Sequence, residues 1–350
     1  MCTRIVWVND DVEKVPLVGR IMDWGYDDYE PDLWILPRGG SRDGGTKSNP
    51  ILWDVRYGSL VAPLYWKVRR NGTVTTVATS TDGINEKGLS GHTLWLGKTE
   101  YPQAGDRKTL NVGKWLQYYL DQFKTVADAT RHAAKAPYRL VAAIVGTIPG
   151  MLHLTLEDGT GDCAVIEYIN GVPHIHPDPA RHQDSRDYWV ITNSLTCDLQ
   201  SRNTLSQYKP FGGTLELPGS TDSRHRFIRA WHYLLQLPKP RDEKQRVAYM
   251  LSVLRNVSYP FGKIDQFAPP PQDNLIPSTR WRSVTNLRDK RYYFESTTTL
   301  NICWVDLDML RFDQPKRLDL HPRSDLFGEV SGRFVAAEPF EWLQAEDAVP

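Results

Sequence analysis

Cys2, in Met1-Cys2-Thr3-Arg4, is the residue of this 350-residue chain best placed by type and position to do chemistry. A small second residue lets an aminopeptidase remove Met1, and the mature chain then begins with a thiol and a free α-amine on one amino acid. A thiol titrates near ~8.5 and an α-amine near ~7.7–8.0, so at neutral pH part of the amine is unprotonated and can take the sulfur's proton. With Met1 in place the same nitrogen is a non-basic amide, and the nearest amine lies one residue away, ~3.8 Å between Cα atoms. Loss of Met1 is the activation step that this chemistry requires. By itself an early cysteine is ordinarily a small buried apolar residue, so the case rests on what accompanies it.

A thiolate attacking an amide needs N–H donors for the oxyanion, a group that places the amine, and positive charge near the sulfur. Arg20 and Asp23 lie in Gly19-Arg20-Ile21-Met22-Asp23-Trp24, where strand alternation puts them on opposite faces unless a bulge intervenes. Asn193 ends a strand pattern, a common place for a turn cap, and Arg226 sits in a helix pattern beside Phe227, where its default role is a surface ion pair. His174 and His176 alternate onto one strand face like a two-His metal pair. No third ligand follows in pattern, His182 and Asp184 change little, and the expectation is a solvated hairpin with no metal. Cys197, four residues beyond Asn193, reads as a buried structural thiol. Residues 39–45 lack the Lys-Ser/Thr ending of a phosphate loop and read as a flexible turn.

The elements that must hold these residues follow from periodicity and turn chemistry. Alternation over Cys2–Val8 reads as a strand that would fix Cys2 in a sheet, and further strand patterns occupy 33–36, 58–62 and 74–80. Helical patterns cover 112–123 and 126–136, the second capped by Thr125 and ended by Pro137. Strands resume at 151–157, 164–169 and 188–192, with hairpin turns at Glu157-Asp158-Gly159-Thr160-Gly161-Asp162 and Asn170-Gly171. Helices at 222–235 and 243–257 precede strands at 281–287, 291–296 and 302–307. Strand blocks joined by hairpins and alternating with helix pairs predict an α+β fold with antiparallel sheets covered by helices, layered αββα. The Pro-rich stretch 268–273 is the best boundary candidate, but strand pattern returns after it, so residues 1–350 are read as one domain.

Lys+Arg and Asp+Glu are both 42, and a formal net charge of +0 offers no broad field to nucleic acid or an anionic membrane. The basic cluster Lys67-Val68-Arg69-Arg70 reads as a solvated loop. Cys2, Cys163, Cys197 and Cys303 are far apart with no CxxC spacing, which predicts neither a zinc site nor disulfides. No apolar run spans a bilayer and no leader precedes Cys2, so the chain as written reads as cytoplasmic, or periplasmic if Met1 stands where a signal peptide was removed. With 12 Trp, 16 Tyr and 10 Phe, aromatic rings are numerous enough to line a concave apolar surface as well as the core.

Together, Cys2-Thr3-Arg4, Gly19-Arg20 with Met22-Asp23-Trp24, Asp82-Gly83-Ile84-Asn85-Glu86-Lys87-Gly88-Leu89, Thr192-Asn193-Ser194, Leu217-Pro218-Gly219 with Arg226-Phe227, and Ser278-Thr279-Arg280-Trp281-Arg282 stand in the order seen in the choloylglycine hydrolase family. From Cys2 to beyond Trp304 the chain resembles that family of N-terminal nucleophile hydrolases. Trp24 and the Leu94-Trp95-Leu96 context are similar to the penicillin V acylases of Gram-negative bacteria rather than to bile salt hydrolases. The resemblance implies Cys2 as nucleophile and, through its amine, base and then acid. It implies Asp23 as the group holding that amine, Arg20 beside the sulfur, and Arg226 as electrostatic support. The Asn193 side chain and the Trp95 backbone N–H would form the oxyanion hole. It further implies no cofactor, a homotetramer, and an amide substrate, penicillin V or an N-acyl homoserine lactone, whose acyl group lies between Trp24 and Trp95. A bile salt hydrolase is the alternative within the family, and a non-enzymatic Trp-rich ligand-binding protein the alternative outside it. Leu195 stands where relatives usually have Pro after the Asn-Ser pair.

Overall fold

Neighbouring side chains of the first strand, Cys2–Val8, face two different cores: Val6 packs with Val18 and Met22, while Ile5 and Trp7 pack with Leu17 and Ile21. A strand apolar on both faces must lie inside a layered structure. The computed structural model of the protein describes residues 2–8, 14–25, 31–103, 105–145, 148–178, 184–193, 196–197, 202–261, 278–321 and 325–349. Met1, His182, Ser194, Leu195 and the Pro-rich stretch 268–273 lie outside the described residues.

In chain order, β1 (Cys2–Val8) and β2 (Pro16–Trp24) open the first sheet, and β3 (Asp32–Leu36), β4 (Ser59–Arg70), β5 (Thr73–Asn85) and β6 (Ser90–Trp95) open the second. Helices α1 (Trp115–Gln122) and α2 (Val126–Ala133) follow, and β7 (Leu152–Glu157), β8 (Cys163–Ile169) and β9 (Val172–His176) extend the second sheet. The chain returns through β10 (Val190–Thr192) to the first sheet, then forms α3 (Ser223–Leu235) and α4 (Glu243–Asn256). The first sheet gains β11 (Ser278–Asn286), β12 (Arg291–Ser296) and β13 (Ile302–Asp306). Short strands β14 (Lys316–Asp319), β15 (Gly328–Glu329), β16 (Val335–Ala336) and β17 (Glu341–Trp342) finish the sheets.

Among the described residues the first sheet has seven strands, ordered β10-β1-β2-β11-β12-β13-β15. The second has ten, ordered β9-β8-β7-β6-β5-β4-β3-β14-β16, with β17 beside β5. Both are antiparallel except at β15 and β17. One core lies between the sheets, where Val6, Val18 and Met22 meet Leu33, Leu60, Leu94 and Val165. A second joins α1 and α2 to the second sheet through Leu116, Tyr119 and Ala129 against Val61, Leu154 and Ile166. A third joins α3 and α4 to the first through Phe227, Met250 and Leu254 against Ile5, Leu17 and Ile21. The layer order is the αββα sandwich that the patterns predict.

The helix ends obey the capping chemistry read from sequence. Thr125 accepts from the Asp128 N–H at 3.1 Å at the start of α2, and Asp222 accepts from the Arg224 N–H at 2.8 Å at the start of α3. Asn170 and Gly171, at φ 51° and 74°, take the left-handed conformations of a tight hairpin between β8 and β9. Three expectations are corrected. Lys67–Arg70 is no loop but the end of β4, because Val68 is buried and Arg70 pairs with Asp347 at 2.6 Å. Residues 41–43 of the glycine-rich segment are a short strand paired with Leu52–Asp54. The segment starting at Tyr188 begins as a 3-10 turn, Ser185–Tyr188, before β10 starts at Val190.

Asn85 shows how one buried amide links layers. Its Oδ1 accepts from the N–H groups of Lys87 and Leu89 at 3.0 and 3.1 Å, and its Nδ2 donates to the Leu120 and Phe123 carbonyls at 2.8 and 2.7 Å, ending α1. Each buried polar group left without a partner costs about 1–3 kcal/mol. Asn85→Ala is therefore expected to lower the unfolding free energy by several kcal/mol, seen as a reduced urea midpoint with an unchanged slope. An unmoved midpoint would contradict this reading.

Candidate active site

Cys2 lies at the end of β1, between β10 and β2, with Met22 as its partner across β2. Its side chain faces the space between the sheets and is almost fully buried. Arg20, two residues before Met22 on the same strand, faces the same way: its Nη2 is 3.6 Å from Cys2 Sγ and donates to the Thr93 carbonyl at 2.8 Å. Nη1 donates to the Thr81 carbonyl at 2.8 Å and reaches Asp82 at 3.5 Å. Met22 Sδ is 3.7 Å from the same sulfur. Asp23 points the other way, toward α3, so the two residues do occupy opposite faces of β2.

They nevertheless belong to one site, because the strand end exposes both faces of Cys2. From the helix side, Arg226 donates through Nη1 to the Cys2 carbonyl at 2.8 Å and to Thr3 Oγ1 at 2.5 Å, and through Nη2 to Asn193 Oδ1 at 3.0 Å. Its Nη1 is 3.6 Å from Asp23, whose other oxygen accepts from Thr279 Oγ1 at 2.5 Å. A register shift between Thr279 and Trp281 in β11 brings Thr279 opposite Asp23. Arg226 is thus wholly buried and no surface ion pair, because α3 aims it through the first sheet's edge. Asn193 follows β10 directly; its Oδ1 accepts from the Cys2 nitrogen as well, and its Nδ2 donates to the Trp95 carbonyl at 2.9 Å.

Trp24 and Trp95 both line a cavity of ≈ 80 Å³ that begins at Cys2, Arg20 and Asp23 and runs between the sheets. At ~10–15 Å³ per water-sized group this is a narrow channel for a chain or single ring. Leu64, Trp66, Val112, Leu152 and Leu343 make its walls apolar, and Trp24 meets Trp66 edge-on at 5.3 Å. Leu64 and Trp66 belong to β4, so this wall is sheet and not the loop that the 58–62 strand pattern leaves beyond residue 62.

Spacing did not disclose the charged chain behind Arg20. Asp82 and His92, cross-strand partners on β5 and β6, share a hydrogen bond of 3.0 Å. His92 Nε2 is 3.2 Å from Glu157, and Glu157 is 2.9 Å from Arg4 Nε. Ser283 and Tyr292 each donate to Asp82 at 3.0 Å. Burial works against the charge of Arg20, but Cys2 and Asp82 outweigh it and its pKa is raised. Burial likewise opposes ionisation of Asp82, yet His92 and Arg20 hold it below the usual range. Burial opposes the His92 imidazolium too, and Asp82 with Glu157 raises its pKa. Arg4, Asp82 and Glu157 stand in the quoted sequence segments, Glu157 as the start of a hairpin turn; His92 carried no signal beyond being a polar residue in an apolar strand.

The histidine pair lies on the expected hairpin, with neighbours that spacing did not show. His174 and His176 do stack, at 6.4 Å between rings, but the groups that approach His176 are Glu167 and Cys197, not a partner in sequence pattern. All four cysteines are free thiols.

With fold and site in place, comparison with known proteins identifies the class. Residues 2–319 match the linear amide C–N hydrolases, choloylglycine hydrolase family, and the chain belongs to that family. It is an amide hydrolase. It is 36% identical to a penicillin V acylase of Pectobacterium atrosepticum, the match covering 97% of this chain and 92% of that one. The penicillin V acylase structure from Agrobacterium tumefaciens superposes with a TM-score of 0.79 at 34% identity, covering 98% of this chain and 100% of that one. A conjugated bile acid hydrolase from Clostridium perfringens shares the fold, with a TM-score of 0.71 at 21% identity over 92% of this chain and 98% of that one.

The charged chain makes stability pH-dependent with a definite sign. His92, raised above its ordinary 6.5, stabilises fully below that value, and its contribution is lost as pH rises through the folded pKa. Asp82, lowered from 3.8, stabilises above that value and loses its contribution as pH falls through the folded pKa. Tm measured from about pH 4 to about pH 9 should fall on the alkaline side for the native chain, and His92→Gln should flatten that limb. Parallel alkaline limbs for the two proteins would refute the assignment.

Proposed function

We propose that this chain is a cysteine N-terminal nucleophile acylase that cleaves penicillin V, N-acyl homoserine lactones, or both, through a thioester on Cys2. The observation that carries the reading is the gathering of Arg20, Asn193 and Arg226 around Cys2, with Asp23 beside Arg226, at an apolar cavity that Cys2 and Asp23 both line. The two named relatives that exceed 30% identity are both penicillin V acylases, and a small cavity walled by Trp24 and Trp66 suits a phenoxyacetyl ring or an acyl chain better than a broad steroid.

Removal of Met1 frees the Cys2 α-amine, with Asp23 as the carboxylate that holds it. The amine takes the thiol proton and the sulfur, beside Arg20, attacks the amide carbon. The oxyanion is met by the second N–H of Asn193 Nδ2 and by the backbone N–H of Trp95; the Trp95 carbonyl that anchors Asn193 keeps these donors together. The C–N bond breaks as the ammonium returns its proton to the leaving nitrogen, which departs as the amine and leaves the acyl group on sulfur. Water, deprotonated by the same α-amine, then attacks the thioester, and the acid leaves as the thiol is restored. Arg226, fixed on the Cys2 carbonyl, holds the strand end in place. We also propose that residues 1–350 act as one catalytic domain and, from the resemblance, that copies assemble as a tetramer, which light scattering tests.

Intact mass of active protein should lack one methionine, and active protein retaining Met1 would exclude the mechanism. Cys2→Ala should abolish hydrolysis of both substrate classes with the circular dichroism spectrum unchanged. Loss of an oxyanion donor costs ~2.7–4 kcal/mol of barrier, so Asn193→Ala should cut kcat by about 10²–10³; a loss under tenfold would place the donor elsewhere. kcat/KM across phenoxyacetyl, acyl-lactone and conjugated cholate amides ranks the substrates.

A further inference from the structure

Glu167, His176 and Cys197 have no part in the reaction derived above. Glu167 on β8 pairs with His174 on β9, which makes His176 its diagonal neighbour on the same face. His176 Nε2 lies 3.3 Å from Glu167 Oε1, and the Cys197 backbone N–H donates to that oxygen at 3.1 Å. One donor atom from each of the three residues lies within 4.8 Å of the others. Glu167 and Cys197 are buried, while the His176 side chain keeps 12% exposure, an entry path for an ion.

An independent observation points into the same place. His153 on β7 is fully buried, and neither ring nitrogen has a hydrogen-bond partner among the described residues. Its Nδ1 faces Glu167 Oε2 at 4.0 Å. Leu154 pairs with Ile166, so His153 falls opposite Glu167, and the three strands β7, β8 and β9 present His153, Glu167 and His176 in a row. A buried imidazole without partners is costly. A Glu167–His176 ion pair alone does not account for that ring.

Thiolate sulfur, two imidazole nitrogens and a carboxylate oxygen form a donor set suited to a tetrahedral zinc-class ion. At metal–ligand distances of ~2.0–2.3 Å such donors stand roughly 3.3–3.8 Å apart, so side-chain rotations of about an ångström close the set. We infer that Glu167, His176 and Cys197, with His153 as fourth donor, bind a zinc-class divalent cation. The ion would pin the segment carrying Cys197, four residues beyond Asn193, to the β8–β9 hairpin. The site stands apart from the proposed acylase reading and is tested without it.

The test is a cobalt(II) titration of the full chain carrying Cys2→Ala, which removes the other site thiol, after treatment with a chelator. One equivalent should produce thiolate-to-cobalt charge transfer and the intense visible bands of tetrahedral cobalt, and zinc should displace both. Cys197→Ser in that background should abolish the charge transfer, and His176→Ala should weaken binding at least tenfold. Absence of charge transfer before the second substitution, or its survival in Cys197→Ser, overturns the site. Should Cys197→Ser fail to fold, Glu167→Gln and His153→Ala decide by the same titration, and unchanged cobalt affinity in both overturns it.

Discussion

Arg4 and Arg20 lie directly opposite one another on β1 and β2, both fully buried, and two guanidinium groups so placed repel unless their charge is met. Much of the space between the sheets is organised to meet it. Asp82 answers Arg20, Glu157 answers Arg4, and His92 bridges the two carboxylates from the facing sheet. With His92 protonated, signs alternate along the whole chain and three positive groups face two negative ones. An arginine stands at each end, and the Arg20 end lies 3.6 Å from the Cys2 sulfur. The same network therefore holds the sheets in register and leaves a positive end where a nucleophilic sulfur would use it.

Position at a strand terminus is the second constraint. Within a strand, side chains on opposite faces cannot serve one atom. At Cys2 the sulfur enters the inter-sheet space, while the backbone nitrogen and carbonyl remain reachable from the helix face. Arg20 is delivered by β2 to one side, and Arg226, backed by Asp23 and Thr279, is delivered by α3 to the other. The shift of register in β11 completes the arrangement by placing Thr279 against Asp23.

What the sequence disclosed follows the reach of local physics. Alternation marked β1 and β12 to the residue, and Thr125 announced its helix, because strand facing and capping depend on near neighbours. Arg20, Asp23, Asn193 and Arg226 were legible only as a set in order; singly each suited a bland role, since what unites them is pairing across 191 positions between Cys2 and Asn193. The roles of His92 and Glu157 were not legible, because the ion-pair chain they complete runs between the two sheets, from Arg20 through Asp82, His92 and Glu157 to Arg4. The groups gathered near His176 escaped as well: Glu167, Cys197 and His153 lie on three segments far apart in sequence that only the fold brings together.

The contact between the Cys2 nitrogen and Asn193 bears on how a chain can fold before it is processed and still be active afterwards. In the unprocessed chain that nitrogen is an amide, and its N–H donates to Asn193 Oδ1. A neutral α-amine formed by loss of Met1 keeps N–H bonds and gains a lone pair, so it can maintain the donation while the lone pair accepts the thiol proton. The Asn193 amide cannot flip in either state, because Arg226 also requires Oδ1 as acceptor and the Trp95 carbonyl requires Nδ2 as donor. Asn193, the oxyanion donor of the proposed mechanism, is therefore set in direction by Arg226 and the Trp95 carbonyl, which loss of Met1 does not touch. Folding can precede activation without the site having to be rebuilt.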